Sequence, residues 1–301
     1  MELLINIFYV HRQKEADVTT TKMCIIFLRI NTQPGARYKL LIAANRDEYF
    51  ARPSAPASFQ SPNGNRVLCG LDMQAGVAPG GTWLGMTTGG AFAFLTNILV
   101  KQQNASKKPR GQIVRGFLDS STVTSPEDYV RTALVGVDFR EFNFVGGRLG
   151  RDGTVDCVYH GRSEDTEVVR LDADSSHVFA CTAVGTPWRK KSHGRKIFDE
   201  IVTEGGNPQE LSRRFFERLL SDATCLSPDE FVAKQAEGSA FTEEFMNQYC
   251  SVFITGNELY GTRTQTTVVV DQEDRAFFFE RNRASDAGEW EENSFEFKLS
   301  L

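Results

Sequence analysis

The sequence predicts an α+β protein in which two antiparallel sheets pack together with helices outside them. Three observations carry that prediction. The chain runs through short strands, helices, strands, helices and strands again, and each block has an apolar face that another block must cover. No composition break or long linker divides the 301 residues, a length that buries a substantial core as one large domain or two ordinary ones.

Composition narrows the function classes. Hydrophobic residues make up 41% and charged residues 24%, close to an average globular protein. The formal net charge of −5 gives no electrostatic footprint for nucleic acid and no attraction to an anionic membrane. Six cysteines (Cys24, Cys69, Cys157, Cys181, Cys225, Cys250) lie far apart with no C-x-x-C pair, which argues against zinc and a dense disulfide scaffold and fits reduced, intracellular thiols. The four histidines (His11, His160, His177, His193) show no metal spacing, and His177 reads as a structural residue opening a strand. Residues 1–22 read as an appended, poorly ordered tail or an upstream start. The apolar run Leu3 to Val10, interrupted by Asn6, is too short to span a bilayer; Glu2 stands where a signal peptide carries positive charge, and Glu15 and Asp17 are out of place in a transit peptide. Residues 23–301 read as one domain.

The first element is Ile25-Ile26-Phe27-Leu28-Arg29-Ile30, mostly β-branched or aromatic and followed by Asn31 and Pro34-Gly35, a pattern that predicts a buried strand closed by a turn. Lys39 to Ala44 predicts its hairpin partner. That strand delivers Asn45-Arg46-Asp47-Glu48, which by spacing alone read as a solvated loop with an internal ion pair. From Arg52-Pro53 the Pro/Ser-rich sequence to Gly64 predicts a loop. The pairs Gly80-Gly81 and Gly89-Gly90 set up a second hairpin, Thr82 to Met86 with Ala91 to Asn97. Asn97 either ends a ladder or offers an amide to an oxyanion.

Ile113, Val114, Phe117 and Leu118 keep to one helix face. Ser125-Pro126-Glu127-Asp128 caps a second helix that stops at Gly136. Short strands follow at Phe142 to Val145, Val155 to Tyr159, Val168 to Leu171 and His177 to Ala180, separated by turns. A second helical block runs from about Trp188 to Glu237, marked by Ile197, Phe198, Ile201 and Val202 and by caps at Asn207-Pro208-Gln209-Glu210 and Ser227-Pro228-Asp229-Glu230. Within it Arg189, Lys190, Lys191, Arg195 and Lys196 read as a solvated helix face, with an anion site at a helix N-terminus as the alternative. Strands return at Cys250 to Thr255, Thr266 to Val270, Ala276 to Glu280 and Phe295 to Leu299.

The candidate chemistry lies at Met23-Cys24. A chain beginning at Cys24 would carry a thiol of pKa about 8.5 and an α-amino group of about 7.7–8.0 on one residue. Partial desolvation would leave more of that amine neutral and able to take the thiol proton, which suits acyl transfer. Taken alone, a strand-end cysteine also reads as a small hydrophobe, and residues 1–22 stand ahead of it.

Met23-Cys24-Ile25-Ile26-Phe27, Ala43-Ala44-Asn45-Arg46-Asp47-Glu48, Arg52-Pro53, Gly70-Leu71-Asp72-Met73, Gly80-Gly81-Thr82-Trp83-Leu84-Gly85, Leu95-Thr96-Asn97, Pro187-Trp188-Arg189-Lys190 and Tyr260-Gly261-Thr262-Arg263-Thr264 occur in that order. Together they resemble the NRDE family, from Cys24 to the end of the chain. The resemblance implies the four-layer αββα sandwich of the N-terminal-nucleophile hydrolases. By similarity to cysteine-type members such as penicillin V acylases and bile-salt hydrolases, it implies Cys24 as nucleophile, Arg46 and Asp47 as the residues that set its protonation and hold its amine, Asn97 as oxyanion donor and Arg263 as a residue closing the site. It requires no cofactor and no metal. Where the family carries an asparagine, ahead of Pro187-Trp188, this chain has Cys181. A thiol donates weakly, and losing one oxyanion donor lowers turnover by roughly 10²–10³.

The resemblance further implies a role in Golgi and endoplasmic-reticulum organisation and secretion, with haem or acyl-CoA and other lipid as the small molecules handled. The charge balance and the lack of a signal peptide or membrane span in the sequence point to no nucleic-acid partner, no integral membrane association, and a cytoplasmic location with any Golgi or mitochondrial attachment peripheral. The competing reading is a cysteine N-terminal-nucleophile amidohydrolase acting on a non-peptide linear amide; whether the chain is catalytic stays open at this level.

Overall fold

The apolar run after Cys24 forms β1 (Cys24–Ile30), and its hairpin partner β2 (Tyr38–Tyr49) pairs antiparallel with it from Cys24 opposite Arg46 to Ile30 opposite Leu40. This computed structural model describes residues 24–61, 66–74, 80–100, 107–120, 125–161, 167–237, 242–285 and 288–301; the proposed tail at 1–22 lies outside them. β2 runs five residues further than the apolar pattern indicates. Asn45, Arg46, Asp47 and Glu48, expected in a solvated loop, are strand residues exposed by 1–4%. They stay in the sheet because partners meet them there: the Asn45 amide donates to the carbonyls of Leu220 and Val252 at 2.9 Å each, and buried polar groups persist when so bonded.

The first sheet is completed by β11 (Tyr260–Asp271) on the other edge of β2, then β12 (Arg275–Asn282) and β13 (Glu291–Lys298), with β10 (Ser176–Phe179) on the outer edge of β1. The second sheet follows chain order: β3 (Ser54–Gln60), β4 (Val67–Asp72), β5 (Leu84–Thr87), β6 (Ala91–Asn97), β7 (Phe142–Leu149), β8 (Val155–Gly161) and β9 (Val169–Arg170). β3 replaces part of the loop expected after Arg52. It is an edge strand whose register shifts between Ala55 and Ser58, where Pro56 sits, and edges and bulges are where a strand accommodates proline.

Among the described residues six helices cover the outer faces. α1 (Gly111–Asp119) and α2 (Pro126–Tyr129), which continues into a π-helical turn (Val130–Leu134), pack on the second sheet. α3 (Arg189–Glu204), α4 (Pro208–Arg214) with its π-helical turn (Phe215–Leu219), α5 (Glu230–Ala236) and α6 (Glu243–Gln248) belong to the first sheet's side. Ser125 and Asn207 cap α2 and α4 as the sequence indicates, whereas α5 is capped by Asp229, two residues beyond the expected Ser227. Three cores result. Ile26, Leu28 and Ile42 meet Leu84, Phe92 and Phe94 between the sheets, and the other two cores lie between each sheet and its helices. The order helix, sheet, sheet, helix is the αββα sandwich expected.

Cys250 to Thr255, expected as a strand, is irregular. β11 occupies the edge of β2 that it would need. The segment is apolar because Cys250, Val252 and Ile254 fill the core under the helices, with Phe253 N–H bonded to Asp222 O at 2.8 Å and Ile254 N–H to Thr262 Oγ1 at 2.9 Å. α3 approaches the sheet closely at Gly194, where an added Cβ would stand 2.5 Å from the Phe27 ring. That contact brings the second turn of α3 close against β1.

Candidate functional site

Cys24 begins β1 at the end of the sheet where β2 carries Arg46 and Asp47. Its backbone nitrogen, an amide in the chain as written, donates to the sulfur of Cys181 at 3.3 Å. The β1–β10 register of Ile26 opposite Phe179, carried two residues further, sets Cys24 opposite Cys181. The chain at 180–182 is held from both sheets and the helical layer. Thr96 Oγ1 donates to Ala180 O at 3.0 Å, and Asn143 Nδ2 donates to Ala180 O and Thr182 O at 2.9 Å each. Leu99 N–H and Gln235 Nε2 donate to Cys181 O at 2.9 and 3.0 Å.

Electrostatics around Cys24 favour the neutral thiol. Burial is the largest influence raising its pKa well above the ordinary range, and Cys181 and Asp47 add to it; the Arg46 charge and the Asp47 backbone N–H act the other way. Burial also pushes the Cys181 thiol up, to about 11, opposed by Lys190 and the Cys24 amide. At neutral pH both sulfurs are protonated.

Asp47 is 1% exposed. Its Oδ1 accepts from Thr262 Oγ1 at 2.5 Å, while Oδ2 has no hydrogen-bond partner among the described residues. Burial raises this carboxyl to about 7, against the lowering influence of Lys190, Thr262, Arg283 and Arg46. Lys190, also 1% exposed, has no partner for Nζ among the described residues, and burial lowers its pKa, with Asp47 the strongest opposing charge. The expected solvated face of α3 is thus corrected at two positions: Lys190 is buried, and Lys191 is 8% exposed with Nζ bonded to Val184 O and Thr186 O at 2.6 and 2.9 Å.

Arg46 projects to the other side of the strand, its guanidinium carbon 4.2 Å from the Trp83 ring centre and its Nη2 3.6 Å from a carboxylate oxygen of each of Glu48 and Asp72. Arg263 is the residue bulged out between Thr262 and Thr264 where β11 pairs with β2. Its Nη1 donates to the carbonyls of Tyr49, Phe50 and Arg52 at 2.9, 3.2 and 2.7 Å, so it fastens the chain leaving β2. Burial, with Arg46 alongside, lowers its pKa to about 10. Asn97 closes β6 on the other sheet, buried and paired with Phe142. The structure therefore gathers Cys24, Arg46 and Asp47 at one strand end and gives Arg263 three backbone carbonyls to hold; Asn97 ends β6 between Thr96 and Leu99, which bond the chain at 180–181 next to Cys24.

The sequence reading puts Lys190 on a solvated face and assigns no task to Asn143, Thr96 or Thr262. Lys190 had a signal: it lies on the stripe of Gly194, Phe198 and Ile201, all buried on one face of α3, the spacing of a core-facing stripe.

Two solved structures, both variants of conjugated bile acid hydrolase from Clostridium perfringens, are similar to the chain at 11% identity with TM-scores of 0.39 and 0.43, covering 92% of it and 98–99% of theirs; a likeness at that level says nothing about activity. Sequence relatives are nearer. Transport and Golgi organization protein 2 homologs of Bos taurus and Homo sapiens are 35% and 33% identical over 282 residues, 92% of this chain and 99% of theirs. The Drosophila melanogaster Transport and Golgi organization protein 2 is 27% identical over 287 residues, 91% of this chain and 98% of its own. The sequence model of Transport and Golgi organisation 2 matches residues 23–285, a span that takes in Cys24, Arg46, Asp47, Cys181, Lys190 and Arg263, and the chain belongs to that family.

Proposed function

We propose that this chain serves Golgi organisation and secretion, the work for which its relatives are named, and that its molecular task is to hold a small apolar cargo, haem or an acyl-CoA, at the Cys24 end of the sandwich without hydrolysing it. The supporting observation is the Cys24 nitrogen. It donates to Cys181 at 3.3 Å, so it is engaged as a donor and is not turned toward its own sulfur as a base, and burial keeps the thiol protonated. Among the described residues no helix is long and apolar enough to cross a membrane, and the proposed location is cytoplasmic with peripheral attachment to Golgi or mitochondria. Titrating the purified full chain with haem and with octanoyl-CoA tests the cargo reading; saturable binding of one supports it, and saturable binding of neither sinks it.

A second reading, a cysteine amidohydrolase on a linear amide, is favoured by one observation: the strand end brings Cys24 beside Arg46 and Asp47, with the Asp47 backbone N–H directed at the sulfur. It requires a mature chain beginning at Cys24. The intact mass of protein from its native source decides it, because a chain still carrying Met1 rules the mechanism out.

A further inference from the structure

Asp47 and Lys190 are each other's strongest electrostatic partner, yet among the described residues Oδ2 of Asp47 and Nζ of Lys190 have no hydrogen-bond partner, not even one another. Two polar atoms left this way in a core have bonding capacity open to a further partner. Thr262 fixes the free oxygen by holding the other. Lys190 is placed by the close approach of α3 at Gly194, one turn further along, and its Nζ lies 5.6 Å from the Trp188 ring.

The surroundings weaken the amine's hold on its proton. Trp188, Tyr249, Cys250 and Val252 make the local core apolar, and Lys190 sits in the first turn of α3, where the helix dipole is positive. The groups facing it are Asp47 from β2, Cys24 from β1, Cys181 from the chain after β10, and Cys250; Arg283 and Arg46 also face Asp47. Buried lysines relieved of their proton are nucleophiles toward carbonyl carbon, and a neighbouring carboxyl that is half protonated near neutrality can pass the proton such a condensation needs.

We propose that Lys190 is an imine-forming amine that takes an aldehyde or ketone group, with the Asp47 carboxyl as its proton relay. The Nζ lone pair forms a bond to the carbonyl carbon as the carbonyl π pair moves onto oxygen, which takes a proton from Asp47. Asp47 takes one Nζ proton in exchange and passes it to the new hydroxyl, which leaves as water as the nitrogen pair closes the C=N bond; the second Nζ proton returns to Asp47 and restores its carboxyl. Neither thiol takes part, so the activity stands apart from the cargo reading above.

The test uses the full chain with butanal and cyanoborohydride at about pH 6.5, followed by peptide mapping. An ordinary lysine, with pKa about 10.4, is almost wholly protonated there. The expected result is a butyl adduct on Lys190 forming about tenfold or more faster than on the exposed Lys196 and Lys234. Its rate should fall as pH rises through about 7, where Asp47 loses its proton, and Asp47→Asn should abolish that limb. Lys190→Met should remove the fast adduct. Adducts on exposed lysines with Lys190 unmodified would overturn the proposal, and a water molecule in the gap is then the account. A falling limb unchanged in Asp47→Asn would overturn the relay; should that variant not fold, the wild-type map and pH profile decide alone.

Discussion

The backbone nitrogen of Cys24 donates to the sulfur of Cys181 at 3.3 Å, joining residues 157 apart in sequence. The atom that an N-terminal nucleophile would use as its base is here a donor held against a second thiol. Removing that acceptor should be felt. Cys181→Ala leaves a buried N–H unsatisfied and opens a small void, an expected loss of about 1–3 kcal/mol in urea unfolding. Cys181→Ser keeps an acceptor and should lose less; equal stability of all three proteins would contradict the bond's importance.

Asn143 is the hub that places Cys181. Its Nδ2 reaches Thr96 Oγ1, Ala180 O and Thr182 O at 2.9 Å, and its Oδ1 accepts from Tyr159 at 2.8 Å. Asn143→Ala should cost about 2–4 kcal/mol by orphaning several buried groups. The Leu99 N–H, bonded to Cys181 O, should exchange with deuterium faster than in the wild type, beyond the change that lower global stability alone brings.

What the sequence disclosed follows from how locally each feature is determined. Strands such as Ile25 to Ile30 and helices such as Ile113 to Leu118 announce themselves because burial repeats with the period of the backbone. The burial of Asp47 does not, because its partner Thr262 is 215 residues away and no local pattern reveals a pairing at that distance. The motif order identified Cys24, Arg46 and Asp47 as neighbours, yet the same reading placed 45–48 in solvent. Cys250 to Thr255 was misjudged for a related reason: apolar composition reports burial, and burial under a helical layer looks the same in sequence as burial in a sheet. Lys190 was legible in principle, as a lysine on the buried stripe of α3, and was obscured by the charge of its neighbours.

Gly194 offers a test of the packing that seats Lys190. Alanine there gains about 1 kcal/mol in helix propensity, but its Cβ would meet the Phe27 ring at 2.5 Å, and overpacking a core costs about 1–3 kcal/mol. The clash should win, and Gly194→Ala should lower the melting temperature. A rise would show that α3 can lift from the sheet without penalty.

The Asp47 carboxyl imposes a pH dependence of known sign. Its folded pKa, about 7, lies above the unfolded value of about 3.9, so between those values the folded chain binds more protons. The contribution is fully present below the unfolded pKa and is lost as pH rises through the folded one. Wild type minus Asp47→Asn, followed by chemical denaturation across that window, should show wild-type stability falling relative to the variant as pH increases. A difference that is flat or rises with pH would contradict the burial account.

The central claim is that Cys24, in a chain where its nitrogen is an amide, holds cargo and does not accept acyl groups. Exposure of the intact chain to p-nitrophenyl acetate, with the acetylated residues mapped by mass spectrometry, tests this most directly. The account predicts no nitrophenol burst from Cys24 and no acetyl group on its sulfur in the folded protein, with acetylation appearing there only after unfolding. A burst of one equivalent with the acetyl group on Cys24 would contradict it and restore the hydrolase reading.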